Sequence, residues 1–395
     1  MALRKIDVAN LLTGATPVAN GGTALTSGFV NGKDPRVNSK PIIINGDMAV
    51  AQRQTSESSI TSTSYNTCDR VQLVNNTMGT YTVIQESLTS GAAYEAGFHN
   101  AWRIDCTTAD SSPAAGDVLY PRYKIESQDL SIFKKGTSGA EAFTLAFWVK
   151  SNKTGNAQVN FYDIDNTRLC SGTYSISSAD TWEHKVINIA ADTTGAWADD
   201  NGEGLRIEWR LDSGSDSTSG ATPTAWEAHN AADRDVAGQL QIARSTSNDW
   251  AITGIQLEVG TFTSATLPPF QFESFEENLH RCKRYYHSIA DGSIQQYEYI
   301  ATGHAQSGSS AHGVYRFDPQ MRATPSLVTT MGTNYMYSLR DNGEDFHDNF
   351  ELYTSAQTSR AFSWKCDDNH SVTQGQAVTI ATGNTAARIA ADAEL

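Results

Sequence analysis

The residues of this 395-residue chain with types suited to chemistry are nine histidines, five cysteines and a few closely spaced carboxylates. Asp163 and Asp165, in Tyr-Asp-Ile-Asp-Asn, fall on one side of a strand or loop, and further acidic pairs stand at Asp199–Asp200 and Asp367–Asp368. Two carboxylates at a fixed separation can cleave a glycosidic bond. Clustered carboxylate oxygens can also hold Ca²⁺, although no complete calcium-loop spacing is present. His280, Cys282 and His287 are spaced to approach one helix face, a conceivable metal set. Cys68, Cys106, Cys170, Cys282 and Cys366 are odd in number, widely spaced and without a C-x-x-C. That pattern argues against a disulfide framework and against zinc, and predicts reduced, buried thiols. The sequence lacks G-x-S-x-G, H-E-x-x-H, P-loop and G-x-G-x-x-G signatures. The expectation is therefore no catalytic residues, no metal and no cofactor, with the acidic pairs serving as turns.

Binding chemistry is carried by tryptophans, because the C–H faces of sugars stack on aromatic rings. Trp197 (in TGAWADDNG) and Trp226 (in TPTAWEAHN) lie in polar, loop-like stretches. Trp148 alternates out of phase with Phe147, so it faces away from the core. These three are the candidate carbohydrate-binding residues; the competing role is capping the core or meeting a neighbouring subunit. Trp209 keeps phase with Leu205, Ile207 and Leu211 and is assigned to the core.

The elements that must position these side chains read as strands. LRIEWRL puts Leu205, Ile207, Trp209 and Leu211 on one face and Arg206, Glu208 and Arg210 on the other, the pattern of a half-buried strand. FTLAFWVK and WRIDC alternate likewise. Further strands are expected at 71–74, 81–86, 118–125, 158–162, 185–189 and 252–259, separated by clusters such as KKGTSGA and DSGSDSTSGATP. Many short alternating strands imply two sheets packed face to face. One helix is expected over residues 271–290, with Phe275, Leu279, Cys282 and Tyr286 as its apolar stripe and acids early, bases late. Pro268 and Pro269 should stop the sheet ahead of it. Strand patterns resume at 295–300, 313–317, 335–339, 350–353, 360–364 and 377–380, a smaller β domain over 291–395. Residues 1–40 are short of core-forming side chains and read as an arm, either a floppy terminus or a peptide that docks on another protein.

Charged residues are only 18% of the chain and the net charge is −15. Such a balance disfavours nucleic acid and anionic membranes as partners. No apolar stretch is long enough to cross a membrane as a helix, and no secretory leader is evident at residues 1–12.

Three segments resemble phage tail-fibre and virion structural proteins. INGDMAVAQRQTS, followed by CDRVQL, is similar to an N-G-(D/N)-(M/F)-x-(V/I)-x-Q-R opening. ITGIQLEVGTFTSATLPPFQFESFEENLHRCKRYY resembles the junction QLE-x-G-x-x-A-T-x-F-x-x-R-x-x-x-x-E-L-x-x-C-x-R-Y-Y. FDPQMRATPSLVTT and the terminal ADAEL resemble a late F-x-x-x-M-R-A-T-P strand and a common ending. Together they frame residues 42–395, and the junction is the most specific. One departure is at Phe272, Glu273 and Ser274, a stretch that lacks the arginine of the pattern.

The resemblance implies an all-β protein: a carbohydrate-binding-module-like jelly-roll β-sandwich over residues 41–270, a connecting helix over 271–290 and a C-terminal β domain over 291–395. It also implies a non-enzymatic virion protein of the tail, assembled in the host cytoplasm. Its expected partners are two further copies of itself, other tail proteins reached through residues 1–40, and host cell-surface polysaccharide. The competing expectations are a capsid decoration or head-fibre protein and a secreted carbohydrate-active enzyme with a binding module.

Overall fold

The computed structural model describes residues 40–291, 297–341, 343–367 and 372–395. The arm expected over residues 1–40 lies, apart from Lys40, outside the described residues. What is described is nearly all β: a jelly-roll sandwich, a short helix and a smaller C-terminal β module.

The sandwich is built from one hydrogen-bonded path of strands folded into two layers. Its pivot is the long strand Val71–Ser87. Residues 71–76 pair with Val118–Glu126, whereas residues 80–87 pair with Asn100–Thr108. Between those halves Thr77 and Gly79 both take positive φ, 60° and 85°, which turns the strand from one layer into the other. One layer continues from Asn100–Thr108 through Asp249–Val259 and Phe143–Lys150 to Glu183–Ile189. The other runs from Val118–Glu126 through Glu203–Trp209 and Gly155–Asp163 to Arg168–Ile176. The alternating apolar residues of the two layers meet in the middle. Phe147 packs edge-on against Trp209 at 5.9 Å and Tyr174 at 5.2 Å, and Phe143 against Phe161 at 5.3 Å. Each such fully buried ring removes roughly 1.5–3 kcal/mol worth of apolar surface from water.

The outward face of the second layer departs from the half-buried pattern. Glu208 and Arg210 are both fully buried, because the segment from Ser213 to Arg244 folds back across them. Arg234, from that segment, grips Glu208 at 2.7 and 2.6 Å, and Arg210 lies 4.1 Å over the Tyr120 ring. Burial alone would raise the Glu208 carboxyl, but the guanidiniums of Arg234, Arg210 and Arg206 outweigh it and hold it at about 2.

The connecting helix is shorter than the sequence pattern suggests, spanning Phe275–Cys282 rather than residues 271–290. Ser274 caps it: its hydroxyl accepts from the Glu277 amide while Glu277 returns a bond to the Ser274 amide. Ser274, within the stretch that lacks the pattern's arginine, thus starts the helix. Tyr286 leaves the expected stripe altogether, because Tyr286–Ala290 is a strand paired with Arg388–Asp392. Phe275 is 58% exposed, so the helix buries Asn278 and Cys282 instead.

In the C-terminal module, Tyr286–Ala290, Arg388–Asp392 and Ser326–Thr330 form a three-stranded sheet. It packs Ile389 and Ala391 against a seven-stranded sheet through a core of Phe317, Met336, Phe350, Phe362, Trp364 and Ile380. On the seven-stranded sheet Gly303 pairs with Gly313, and Gly313 with Trp364. The Trp364 indole lies across both glycines, and a Cβ on either would come within 2.7 or 2.4 Å of it.

Candidate functional site

Trp197 and Trp226 come together at one end of the sandwich. Trp197 packs edge-on to Phe133 at 6.0 Å and Trp226 lies 6.4 Å from Phe143, so both rings cover the core while remaining partly exposed. The Trp226 indole N–H is anchored on the Ala190 carbonyl at 2.8 Å. Between the two rings sits the Lys135 ammonium, 5.4 Å from each centroid. Lys135 is buried and bridges Asp163 at 2.6 Å and Asp192 at 3.1 Å, while donating to the carbonyls of Thr194 at 2.9 Å and Gly195 at 2.7 Å. A buried ammonium needs this many oxygen partners to offset its lost hydration. Asp192 also receives Arg168 at 2.8 Å, and its carboxyl is held low: burial works against that, but the bonds from Arg168, Thr194 and Lys135 prevail.

This arrangement separates Asp163 from Asp165. Asp163 is fully buried on Lys135, whereas Asp165 is exposed and accepts from the Ser127 hydroxyl and the Ala198 amide, each at 2.9 Å. Asp199 and Asp200 are exposed; Asp368 lies outside the described residues.

Trp148 is elsewhere. It lies on the outer face of the other layer, 4.9 Å from His184, beside a small apolar cluster that includes Trp182, Phe98 and Leu88. The three candidate tryptophans therefore make two separate surfaces, one with Trp197 and Trp226 and one with Trp148. His280, Cys282 and His287, spaced to approach one helix face, are likewise dispersed. His280 is exposed on the helix, Cys282 is buried beneath it, and His287 is buried on the following strand. No cluster of three metal-ligating side chains occurs among the described residues. All five cysteines are buried and unpaired.

A further polar constellation is one that side-chain types did not reveal. At the seam between the modules, Glu126 is fully buried and takes both prongs of Arg284, at 2.8 and 2.7 Å, plus the Tyr285 hydroxyl at 2.5 Å. Arg70, also buried, pairs with Glu394, donates to the Lys124 carbonyl at 2.7 Å and stacks 3.4 Å over Tyr285. Arg53 lies 3.7 Å over Tyr286 and reaches Asp392 at 3.3 Å. Gln52 joins the Asp69 carboxylate and the Tyr286 carbonyl. Asn278 donates to Asp47 at 3.1 Å, and Arg322 donates to the Ala393 carbonyl at 2.8 Å. Burial lifts the Asp69 carboxyl to about 6 against the pull of Arg53.

Every segment singled out for its resemblance contributes to this clasp. Asp47, Gln52 and Arg53 come from the opening, Asp69 and Arg70 from CDRVQL, Asn278, Arg284, Tyr285 and Tyr286 from the junction, and Arg322, Asp392 and Glu394 from the last two pieces. Residues more than 300 positions apart in the chain meet here, as Arg70 and Glu394 do.

No known family model matches the chain, and no curated protein matches it. Among solved structures it is similar to the enzymatically active domain of a bacteriophage CBA120 tailspike protein, with TM-score 0.27 and 13% identity over 55% of this chain; the match spans only 21% of that protein. It is similar to TmCBM61 in complex with beta-1,4-galactotriose, with TM-score 0.27 and 8% identity over 56% of this chain and 99% of the other. A family 11 carbohydrate-binding module from Clostridium thermocellum in complex with a mixed-linked tetrasaccharide aligns with TM-score 0.25 and 7% identity, over 52% of this chain and 96% of the module. At these scores and identities the likenesses assign neither ligand nor activity, and the sandwich assignment rests on the strand pairing above.

Proposed function

We propose that this chain is a non-catalytic structural protein of a phage particle, of the tail-fibre kind. Residues 1–40 attach it to neighbouring tail proteins, and its two β modules form one stiff unit that presents surfaces to host glycans. The observation that carries this reading is the convergence of the resembling segments on the clasp. Short motif matches scattered over a chain are weak individually. Here they supply the Arg70–Glu394 pair, the arginine that pairs with Glu126, and hydrogen bonds that join the modules, which gives the separate matches one physical role in this fold. A fibre component must hold its modules in a fixed relation under load. Charge-assisted bonds to buried carboxylates do that better than a flexible linker, since they tie specific geometry to the burial of the acids.

Five buried thiols suit assembly in a reducing host cytoplasm before release. The experiment is a cryo-electron reconstruction of the intact particle. Density for the sandwich and C-terminal module at the tail, in three copies around an axis, is the expected result. Density on the head would replace this reading with the decoration protein, and absence from the particle would overturn it.

A further inference from the structure

The seven-stranded sheet of the C-terminal module buries one face and leaves the other open. Pairing sets Leu339, Thr379 and Thr302 side by side in one row across three strands. The Gly303–Gly313 register continues that face onto Val314 and Arg316. Tyr299 is 62% exposed and Val314 56%. A groove of about 500 Å³ runs along this face, with Tyr299, Thr302, Val314, Arg316 and Thr379 among its lining. Contiguous exposed aromatic and apolar side chains with a polar rim mark a binding surface more often than an idle one.

Arg316 says what the surface binds. Every other described arginine has a hydrogen bond or an ion pair. Among the described residues Arg316 has neither, and it is the only charged side chain lining the groove. Arg122, Arg322, Arg360 and Arg388 also have no carboxylate partner, but each donates to a carbonyl or amide oxygen, so what sets Arg316 apart is a guanidinium with neither kind of partner. A second copy docked about a two-fold axis through this face would present the same groove, which holds no carboxylate for Arg316.

We propose that this face binds a polysaccharide carrying carboxylated sugars. A sugar ring stacks on Tyr299, its hydroxyls meet Thr302 and Thr379, and its carboxylate takes the guanidinium of Arg316 in a two-pronged bond. The inference rests on the glycan-facing part of the proposed function and adds a site and a ligand class to it. The test is affinity electrophoresis of the full chain in gels containing polygalacturonate or neutral dextran, with sedimentation in parallel. Retardation is expected in polygalacturonate alone. It should fall at least fivefold in Tyr299→Ala and in Arg316→Gln, with partial retention in Arg316→Lys and unchanged thermal unfolding in all three. Absence of retardation, equal retardation in dextran, or variants that behave like the parent would each overturn the proposal. So would a change of oligomeric state in Tyr299→Ala, which would make the face a subunit contact. The tail location is read from the particle reconstruction, so failure here leaves that reading standing.

Discussion

Arg284 and Glu126, 158 residues apart in the chain, form a two-pronged ion pair at 2.8 and 2.7 Å across the seam between the β-sandwich and the C-terminal module. The pair is asymmetric. Glu126 is fully buried, whereas the Arg284 side chain is 31% exposed. Removing the arginine strands a buried carboxylate; removing the carboxylate leaves an arginine that can turn to water.

Arg284→Met should therefore destabilise the protein by about 3 kcal/mol, the cost of breaking one side of a buried pair. Glu126→Gln should cost distinctly less, since the amide oxygen can still accept from Tyr285. Denaturant titrations of the two variants check the order, and equal losses would show that the seam does not keep Glu126 dry.

Lys135 offers the same test at the sandwich end. Lys135→Met leaves Asp163 buried without its cation, while Asp192 retains Arg168. The expected loss is about 3–5 kcal/mol. Adding Asp163→Asn to Lys135→Met should recover part of it, because the charge that was stranded is then gone. Additive losses in the double variant would mean that the two side chains do not interact. Tryptophan emission should change in Lys135→Met, since the ammonium lies between Trp197 and Trp226.

What the sequence made legible was set by alternation. Leu205, Ile207 and Trp209 announced their strand because their partners on the other face are polar. The same cue misjudged Glu208 and Arg210, since period two says which face a residue takes and not whether a later segment covers that face. Ser56–Tyr65 went unseen because its serines and threonines carry little apolar contrast, and Arg388–Asp392 because two alanines and one isoleucine are not distinctively β. Tyr286 fitted a helical stripe by spacing alone, yet the edge of Arg388–Asp392, about 100 residues onward, recruits it into a sheet. The clasp was visible only as family-like motifs. Pairing Arg70 with Glu394 is a tertiary fact that no local pattern encodes.

His287 gives a pH prediction whose sign can be worked out. Burial, with a smaller push from Lys283, lowers its imidazole from about 6.5 to about 4. The folded state thus keeps it neutral while the unfolded chain takes up a proton. Its contribution to stability is full above the unfolded value and is lost as pH falls from about 6.5 to 4. Asp69 and Asp235, each lifted to about 6 mainly by burial, act in the opposite direction over part of that window, because the folded state is the better proton binder there. The measurable quantity is therefore a difference. The thermal midpoint of His287→Phe, relative to the parent, should rise steadily between pH 6.5 and 4. A difference that stays flat across those pH values would place the imidazole in contact with water.

The Gly303–Gly313–Trp364 row makes the last prediction. A side chain at Gly303 would meet Trp364 at 2.7 Å and the His312 carbonyl at 2.1 Å, and one at Gly313 would meet the indole at 2.4 Å. Trp364 is fully buried against Phe350 and cannot withdraw without opening the core of the module. Either Gly303→Ala or Gly313→Ala should cost about 1–3 kcal/mol through overpacking and should alter the near-ultraviolet circular dichroism of the indole. Gly308→Ala is the control, since its nearest neighbour would be the Val372 carbonyl at 3.7 Å. The core that holds Trp364 also holds Ile389 and Ala391, on the strand that carries Asp392 of the clasp, so the loss should appear as a single transition shifted as a whole. Earlier unfolding of the C-terminal module alone, with the sandwich transition unmoved, would instead show that the clasp does not couple the two modules into one cooperative unit.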